Sequence, residues 1–330
     1  MARRQFAYLR SKHGDPPTVA SSLERKNLLG RTWLWVSEKP KIEQLVTSSR
    51  LTEGIVNRFI AGDDLEDAIT AIRGLNAKGI GGILDLLGEG VSGPEGAQAA
   101  ADDYLRAIKR VEETGVDTTI SVKLTQLGLS FDKGQCIDYL RRIAAEATAI
   151  GMPVEIDVEQ SEFVLDTLDV FRILQTDYPD MRQAIQAYLR RTPVDLETFS
   201  GVKPRVRLVK GAYAEPEDLA FQKRAEIDAQ FKFLIDWLFE KGTDPGIATH
   251  DSKLIDYARY AAVRTGAGKK DFEIQMLYGV RTKLQEELVE QGYRVRTYVP
   301  YGSAWYPYLM RRIAERPANL LFFMRTLVRG

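Results

Sequence analysis

An alternation constrains this chain more than any single residue does. From Gly81 onward, short runs of strand character lie at 81–88, 118–124, 153–158, 184–189, 205–211, 246–250, 272–277 and 294–299. Helix-like stretches follow them at 95–113, 133–150, 160–178, 193–200, 217–241, 251–266, 280–291 and 303–315. Strands and helices alternating at this spacing build βαβ units and so a parallel sheet. Eight units with nothing left over close into a (β/α)₈ barrel. An open, doubly wound sheet is the competing architecture, and to hold a dinucleotide it would need a phosphate-binding glycine loop. "KGIGGIL" around Gly79 fails that test because Leu84 stands where the third glycine belongs. "TGAGKKD" fails as a P-loop because Lys270 replaces the required Ser or Thr. Residues up to about 75 read as helix and turn, with apolar spacing near 3.6. The expected division is an N-terminal helical segment, 1–75, and a barrel, 76–330.

Bulk properties narrow the class. Lys and Arg number 46, as do Asp and Glu, so no global field draws the protein to nucleic acid. The single cysteine, Cys136, cannot form an internal disulfide, which fits a reducing compartment. No apolar run approaches the roughly 20 residues that span a bilayer. The basic N-terminus "MARRQFAYLRSKHGD" lacks the apolar stretch of a signal peptide. The expectation is a soluble cytoplasmic protein, with an amphipathic transit segment as the alternative. The C-terminal "NLLFFMRTLVRG" reads either as a helix packed on the barrel or as a basic amphipathic contact with a membrane.

In a barrel, chemistry sits where the strands end. Every strand supplies a polar group there: Glu89, Lys123, Asp157, Gln186, Arg207 with Lys210, Thr249 with His250, Gln275 and Tyr298. Alone, Lys123 reads as a strand-end lysine reaching water. In "VEIDVEQ", Glu155, Asp157 and Glu159 share one strand face. Both faces of a parallel barrel strand are covered, which favours a site over a solvated edge. Arg207 stands between Val206 and Leu208, a costly place for an idle charge. His250 lacks the company of a metal ligand and reads as a satisfied rim histidine. Arg311 and Arg312 adjoin a cluster of Tyr298, Tyr301, Trp305, Tyr306 and Tyr308. Paired guanidinium groups grip a carboxylate in fork geometry, so a small carboxylate substrate is the expected ligand. A solvated helix face paired with Glu315 is the bland alternative.

"SVKLTQLG", "EIDVE", "RLVKGAY", "ATHD", "EIQMLYGV" and "YVPYG…YLMRR" occur in this order from about Gly82 to Ile313. Together they resemble the proline dehydrogenases, and most the monofunctional bacterial type. The resemblance implies a distorted (β/α)₈ barrel holding FAD without a Rossmann glycine motif. It also implies oxidation of L-proline to Δ1-pyrroline-5-carboxylate, the first step of proline catabolism, with electrons passing to a quinone at a membrane surface. Pyrroline-5-carboxylate dehydrogenase is then an expected partner, and a peripheral inner-membrane location an expected address. In the family the last barrel helix lies over the mouth, which would turn Arg311 and Arg312 onto the substrate carboxylate. By the same resemblance Lys123 joins that carboxylate site and Tyr298 packs over the substrate ring. Glu89 matches a gate residue paired with one of the arginines. Asp157 and Arg207 match the catalytic pair. Val158, Gln186, Lys210, Gly211, Ala212, Thr249 and His250 fall at cofactor-binding positions, and Tyr213 and Leu277 at active-site wall positions. Val158 departs from the methionine of many relatives and Ala214 from the tryptophan of some. Residues 1–75 match only weakly.

Two other functions stay open on the residues alone. One is a Schiff-base lyase on the same barrel, with Lys123 or Lys210 as nucleophile and Asp157 as base. The other is a barrel that binds an amino acid without turning it over.

Overall fold

A computed structural model describes residues 50–88 and 91–314, with the side chains of 50–53, 55 and 311–314 outside that description. The chain divides into two units, Ser49–Leu309, and Met1–Ser48 with Met310–Gly330. The first holds the barrel. Two helices, α1 (Arg50–Phe59) and α2 (Leu65–Asn76), lead into β1 (Gly81–Leu86). Then follow α3 (Pro94–Thr114), β2 (Thr118–Val122), α4 (Lys133–Ala149), β3 (Val154–Ile156), a 3₁₀ turn at Ser161–Phe163, α5 (Val164–Leu174) and β4 (Arg182–Gln186). The second half is α6 (Thr192–Glu197), β5 (Arg205–Val209), α7 (Arg224–Lys241), β6 (Thr243–Ala248), α8 (Ser252–Thr265), β7 (Glu273–Leu277), α9 (Thr282–Glu290), β8 (Arg294–Tyr301) and α10 (Trp305–Ala314). All neighbouring strands pair in parallel and β8 closes on β1, so the sheet is the expected eight-stranded barrel.

Local signals explain the helices. Asp64, Asp132 and Asp251 cap α2, α4 and α8 by accepting a backbone N–H in the first turn. Gly115 and Gly266 end α3 and α8 in the left-handed conformation. The strands sort their side chains by alternation. Ile120, Val122, Val154, Ile156, Val206, Leu208, Ile274 and Met276 are buried aliphatics of the layer between sheet and helices. The alternate positions, facing the barrel axis, are largely polar. Barrel interiors are commonly filled by branched aliphatic side chains. Here Arg182 reaches Glu273 at 3.0 Å and Asp244 at 2.9 Å, and Arg296 reaches Glu273 at 3.0 Å. Gly81 makes room for Arg296, whose guanidinium occupies the space a side chain there would need.

Of the boundaries that differ from the sequence reading, three have a clear physical reason. Strand β4 begins at Arg182, two residues before the expected 184, because Glu273 and Asp244 neutralise an arginine that looked like loop. Strand β6 begins at Thr243, three before the expected 246, and contains Pro245. The register shifts there between Arg205 and Arg207, an irregularity that tolerates a residue with no N–H. The helix expected from 217 starts only at Arg224. The preceding segment is tied down instead: Glu215 accepts bonds from the Ser161 N–H and hydroxyl, and Leu189 bridges Ala220.

Helix α2 packs outside β1 and β8, with Ile69 and Ile72 buried, and Gly82 lies against Ile72. It fills the flank that the last helix of a regular barrel would take. Within α10, Tyr306, Tyr308 and Leu309 are buried.

Candidate active site

The strand ends of β1, β2, β3, β5 and β8 bring seven side chains into one cluster: Asp85, Ser121, Lys123, Glu155, Asp157, Arg207 and Tyr298. Asp157, just past β3, is its hub. Its Oδ1 accepts from Ser121 Oγ at 2.6 Å and from Arg207 Nη1 at 2.5 Å. Its Oδ2 accepts from the Tyr298 hydroxyl at 2.6 Å and lies 3.4 Å from Lys123 Nζ. Arg207 is locked from two sides. Its Nε donates to Glu155 Oε2 at 3.0 Å and its Nη2 lies 2.7 Å from the same oxygen. Its Nη1 also donates to Ser121 Oγ at 3.1 Å, and its guanidinium lies 5.3 Å from the Tyr298 ring centre. Lys123 Nζ donates to Asp85, and the Lys123 backbone N–H donates to the Tyr104 hydroxyl at 3.3 Å.

The protonation states follow from these contacts. Burial alone would raise the Asp157 carboxyl, but Lys123 and Arg207 reverse it and hold it below the ordinary aspartate value. Burial opposes charge on Glu155 too, and Arg207 and Arg182 hold it far below the usual carboxylate range. Burial would deprotonate Lys123, but Asp85, Tyr298 and Asp157 carry its ammonium well above the ordinary lysine value. Burial and the Asp157 charge keep the Tyr298 phenol protonated. At neutral pH the site therefore holds two fixed cations, Arg207 and Lys123, two fixed carboxylates, Asp157 and Glu155, and a phenol donor.

The remaining candidates spread around the rim. Gln186 is buried at the end of β4; its Nε2 donates to the Glu159 carbonyl at 3.3 Å, and its Oε1 has no hydrogen-bond partner among the described residues. Lys210 does not join the cluster: its ammonium sits 2.6 Å from Asp228 and 3.4 Å from Asp251. Gly211 adopts φ 114°, and a Cβ there would run into the Tyr188 ring. Ala212 and Tyr213 follow, half-buried. Thr249 is buried and its hydroxyl accepts from the Asp251 N–H at 3.1 Å. His250 Nε2 accepts from the Leu277 N–H at 2.8 Å, tying the ends of β6 and β7 together. Val158 is half-buried against the outer aliphatic layer. Glu159 leaves the face it shares with Glu155 and Asp157 in sequence and bonds Thr125 at the rim. Gln275 donates to Glu155 at 3.1 Å and to Glu273 at 2.8 Å. Glu89 and the side chains of Arg311 and Arg312 lie outside the described residues.

Sequence reading passed over Asp85, Ser121 and Tyr104. Asp85 carries a detectable signal, an acid alternating with aliphatics in "GILDLL", the same pattern that exposed Arg207. Ser121 and Tyr104 carry none: a strand serine and a helix tyrosine are common core residues.

Comparison with known proteins bears on the family and the fold. The family model "Proline dehydrogenase" matches residues 68–325. A proline dehydrogenase of Deinococcus radiodurans is 37% identical over 90% of this chain and 97% of its own length. Proline dehydrogenase 1 of Bacillus subtilis subsp. natto is 34% identical over 92% of this chain and 100% of its own. The proline utilization A structure from Bdellovibrio bacteriovorus superposes with a TM-score of 0.75 at 22% identity, covering 91% of this chain and 42% of that one, and so speaks for the fold. The chain belongs to the proline dehydrogenase family, the oxidoreductases of proline catabolism.

Proposed function

We propose that this protein oxidises L-proline to Δ1-pyrroline-5-carboxylate with FAD and passes the electrons to a quinone. The observation that carries the reading is the buried cluster in which Asp157 joins Arg207, Lys123 and Tyr298 at the barrel mouth. Arg311 and Arg312, with Lys123, are assigned to the substrate carboxylate. Tyr298 is assigned to the face of the ring, and Glu89 to a gate on the arginines.

The residues fit a flavin. Gln186 offers a buried carbonyl oxygen with no partner among the described residues, suited to a ring N–H. Gly211 presents backbone free of a side chain. Lys210, Ala212, Thr249 and His250 sit beside them on adjacent strand ends, with Val158 at the end of β3. Tyr213 and Leu277 are assigned to the wall. FAD, when bound, supplies the two-electron acceptor that no side chain here provides. The protein's part is position and charge. Arg207 cannot swing while Glu155 and Asp157 hold both sides of its guanidinium, so its positive charge faces one place without reorganisation. Asp157, fixed as an anion, orients both Arg207 and the Tyr298 hydroxyl. The carboxylate clamp fixes the substrate in one orientation, converting an encounter into a near-attack geometry.

The lysine contacts weigh against a Schiff-base lyase. That nucleophile must be a free amine. Lys123 is held as an ammonium, and Lys210 is turned away from the cluster, onto Asp228 and Asp251.

We further assign residues 76–330 to the catalytic barrel and 1–75 to an N-terminal helical segment. Pyrroline-5-carboxylate dehydrogenase is the expected consumer of the product. No helix of the described residues is long and apolar enough to cross a membrane, and a cytoplasmic enzyme meeting its quinone at the inner-membrane surface agrees with that. The test is product identity: purified protein, L-proline and a soluble quinone, with the imine trapped by o-aminobenzaldehyde and the extracted cofactor identified by chromatography. Yellow adduct with FAD in the extract supports the reading. Proline bound but unchanged, or an adduct trapped by borohydride on Lys123 or Lys210, overturns it.

A further inference from the structure

Beyond its contact with Lys123, Asp85 has no part in the chemistry described so far, yet it is among the most deeply buried acidic side chains of the described residues. It lies on β1 with no exposed surface. One carboxylate oxygen accepts from Lys123 Nζ, and the other, Oδ2, has no hydrogen-bond partner among the described residues. Its strand register places it opposite Ser121 on β2 and Pro300 on β8, level with the cluster around Asp157. An isolated buried carboxylate is expensive unless its charge is used.

We propose that Asp85 is a positioning residue for proline oxidation: it holds the Lys123 side chain upright and charged at the mouth so that the ammonium meets the substrate carboxylate. The proposal rests on the reading of Lys123 as a carboxylate ligand.

The neighbours of Lys123 show why Asp85 is needed. From β3 it faces Asp157, from β8 Tyr298 and from α3 Tyr104. Tyr104 accepts only the Lys123 backbone N–H, so it fixes the main chain and leaves the ammonium alone. Asp157 is 3.4 Å from Nζ, and both its oxygens already accept shorter bonds from Ser121, Arg207 and Tyr298. Without Asp85 the ammonium would be left with a shared carboxylate in a desolvated site, where a lysine sheds its proton. It would also be drawn toward Asp157 Oδ2, competing with the Tyr298 hydroxyl for the same oxygen. Asp85 thus keeps two functions apart, the anchor on Lys123 and the Asp157–Arg207–Tyr298 group. Asparagine at this position keeps the volume and removes the charge; glutamate keeps the charge.

The test compares holoenzyme carrying Asp85→Asn or Asp85→Glu with the parent. Proline KM and kcat are measured, together with the pH midpoint of Lys123 carbamylation by cyanate, read by peptide mass spectrometry. For Asp85→Asn the expected result is a KM raised by about tenfold or more with kcat less affected. The Lys123 midpoint is expected to fall by about two units. Asp85→Glu is expected to recover both. A purely structural role would loosen the fold without moving that midpoint. An unchanged midpoint and KM in folded Asp85→Asn overturn the proposal. A Lys123→Met enzyme with parental KM would instead overturn the substrate reading of Lys123, while a shifted midpoint in Asp85→Asn would still show that Asp85 holds the charge.

Discussion

Replacing Glu155 by glutamine tests the buried charge network at its tightest point. The substitution keeps shape and removes one charge. Glu155 accepts from Arg207 Nε at 3.0 Å, Thr119 Oγ1 at 2.7 Å and Gln275 Nε2 at 3.1 Å, and lies 3.4 Å from Arg182. None of this is exposed to solvent, so water cannot take over the lost bonds. Breaking a buried ion pair from one side costs about 3–5 kcal/mol, because the partner's charge stays behind unpaired. At about 2 °C per kcal/mol for a unit of this size, the melting temperature should fall by roughly 6–10 °C. Arg207 would also lose the side of its guanidinium that Glu155 fixes, and a misplacement of about 1 Å costs roughly a hundredfold in kcat. The folded-state pKa of Glu155 is depressed, so its stabilisation is complete above the ordinary glutamate value of about 4.3 and is lost as pH falls toward the depressed one. The melting difference between parent and variant should therefore be flat from about pH 5 to 8 and shrink below about pH 4. Differential scanning calorimetry across that range, beside steady-state kinetics, reads both effects. A Glu155→Gln enzyme melting within a degree of the parent, with parental kcat, would refute the network's role in holding Arg207.

Three other expectations follow from single residues. Arg311→Met and Arg312→Met should each raise proline KM by about two orders of magnitude with FAD still bound, and a parental KM in either would remove the clamp. Gly211→Ala should destabilise by about 1–3 kcal/mol, given its left-handed backbone and the adjacent Tyr188 ring, and should lower the flavin content of purified protein; full occupancy with unchanged melting would count against Gly211 as a cofactor contact. Burial pushes the Cys136 thiol up to about 12, so an aromatic disulfide reagent at pH 8 should leave it intact until the protein unfolds, whereas fast native labelling would contradict its burial.

The barrel was legible because its outer layer follows a plain rule. Residues such as Ile120, Val122, Val206 and Leu208 alternate with others that point to the axis, and helices with caps and glycine stops separate the strands. The inner layer was only half legible. Arg207 and Asp157 stood out because a charge inside an apolar strand demands a partner. Arg182 did not, since "DMRQA" looks like a loop until Glu273 and Asp244 are known to face it across the barrel. Partners such as Arg207 and Glu155, 52 residues apart, are set by strand order and register, which no local window contains. Lys210 shows the reverse. It reads as a strand-end cation at the mouth, yet the pleat after Val209 hands it to Asp228 on α7. Asp85 carried the same signal as Arg207, a charge inside an apolar strand, and was passed over although its partner, Lys123, lies at the end of the next strand.

The most direct test is the absorbance spectrum of the purified protein under anaerobic conditions before and after L-proline is added. A flavin band that bleaches on mixing, and bleaches far more slowly in Arg207→Met protein with the same flavin content, is the expected result. A protein with no flavin band, or a band that proline leaves untouched, would contradict the assignment of this buried cluster to proline oxidation.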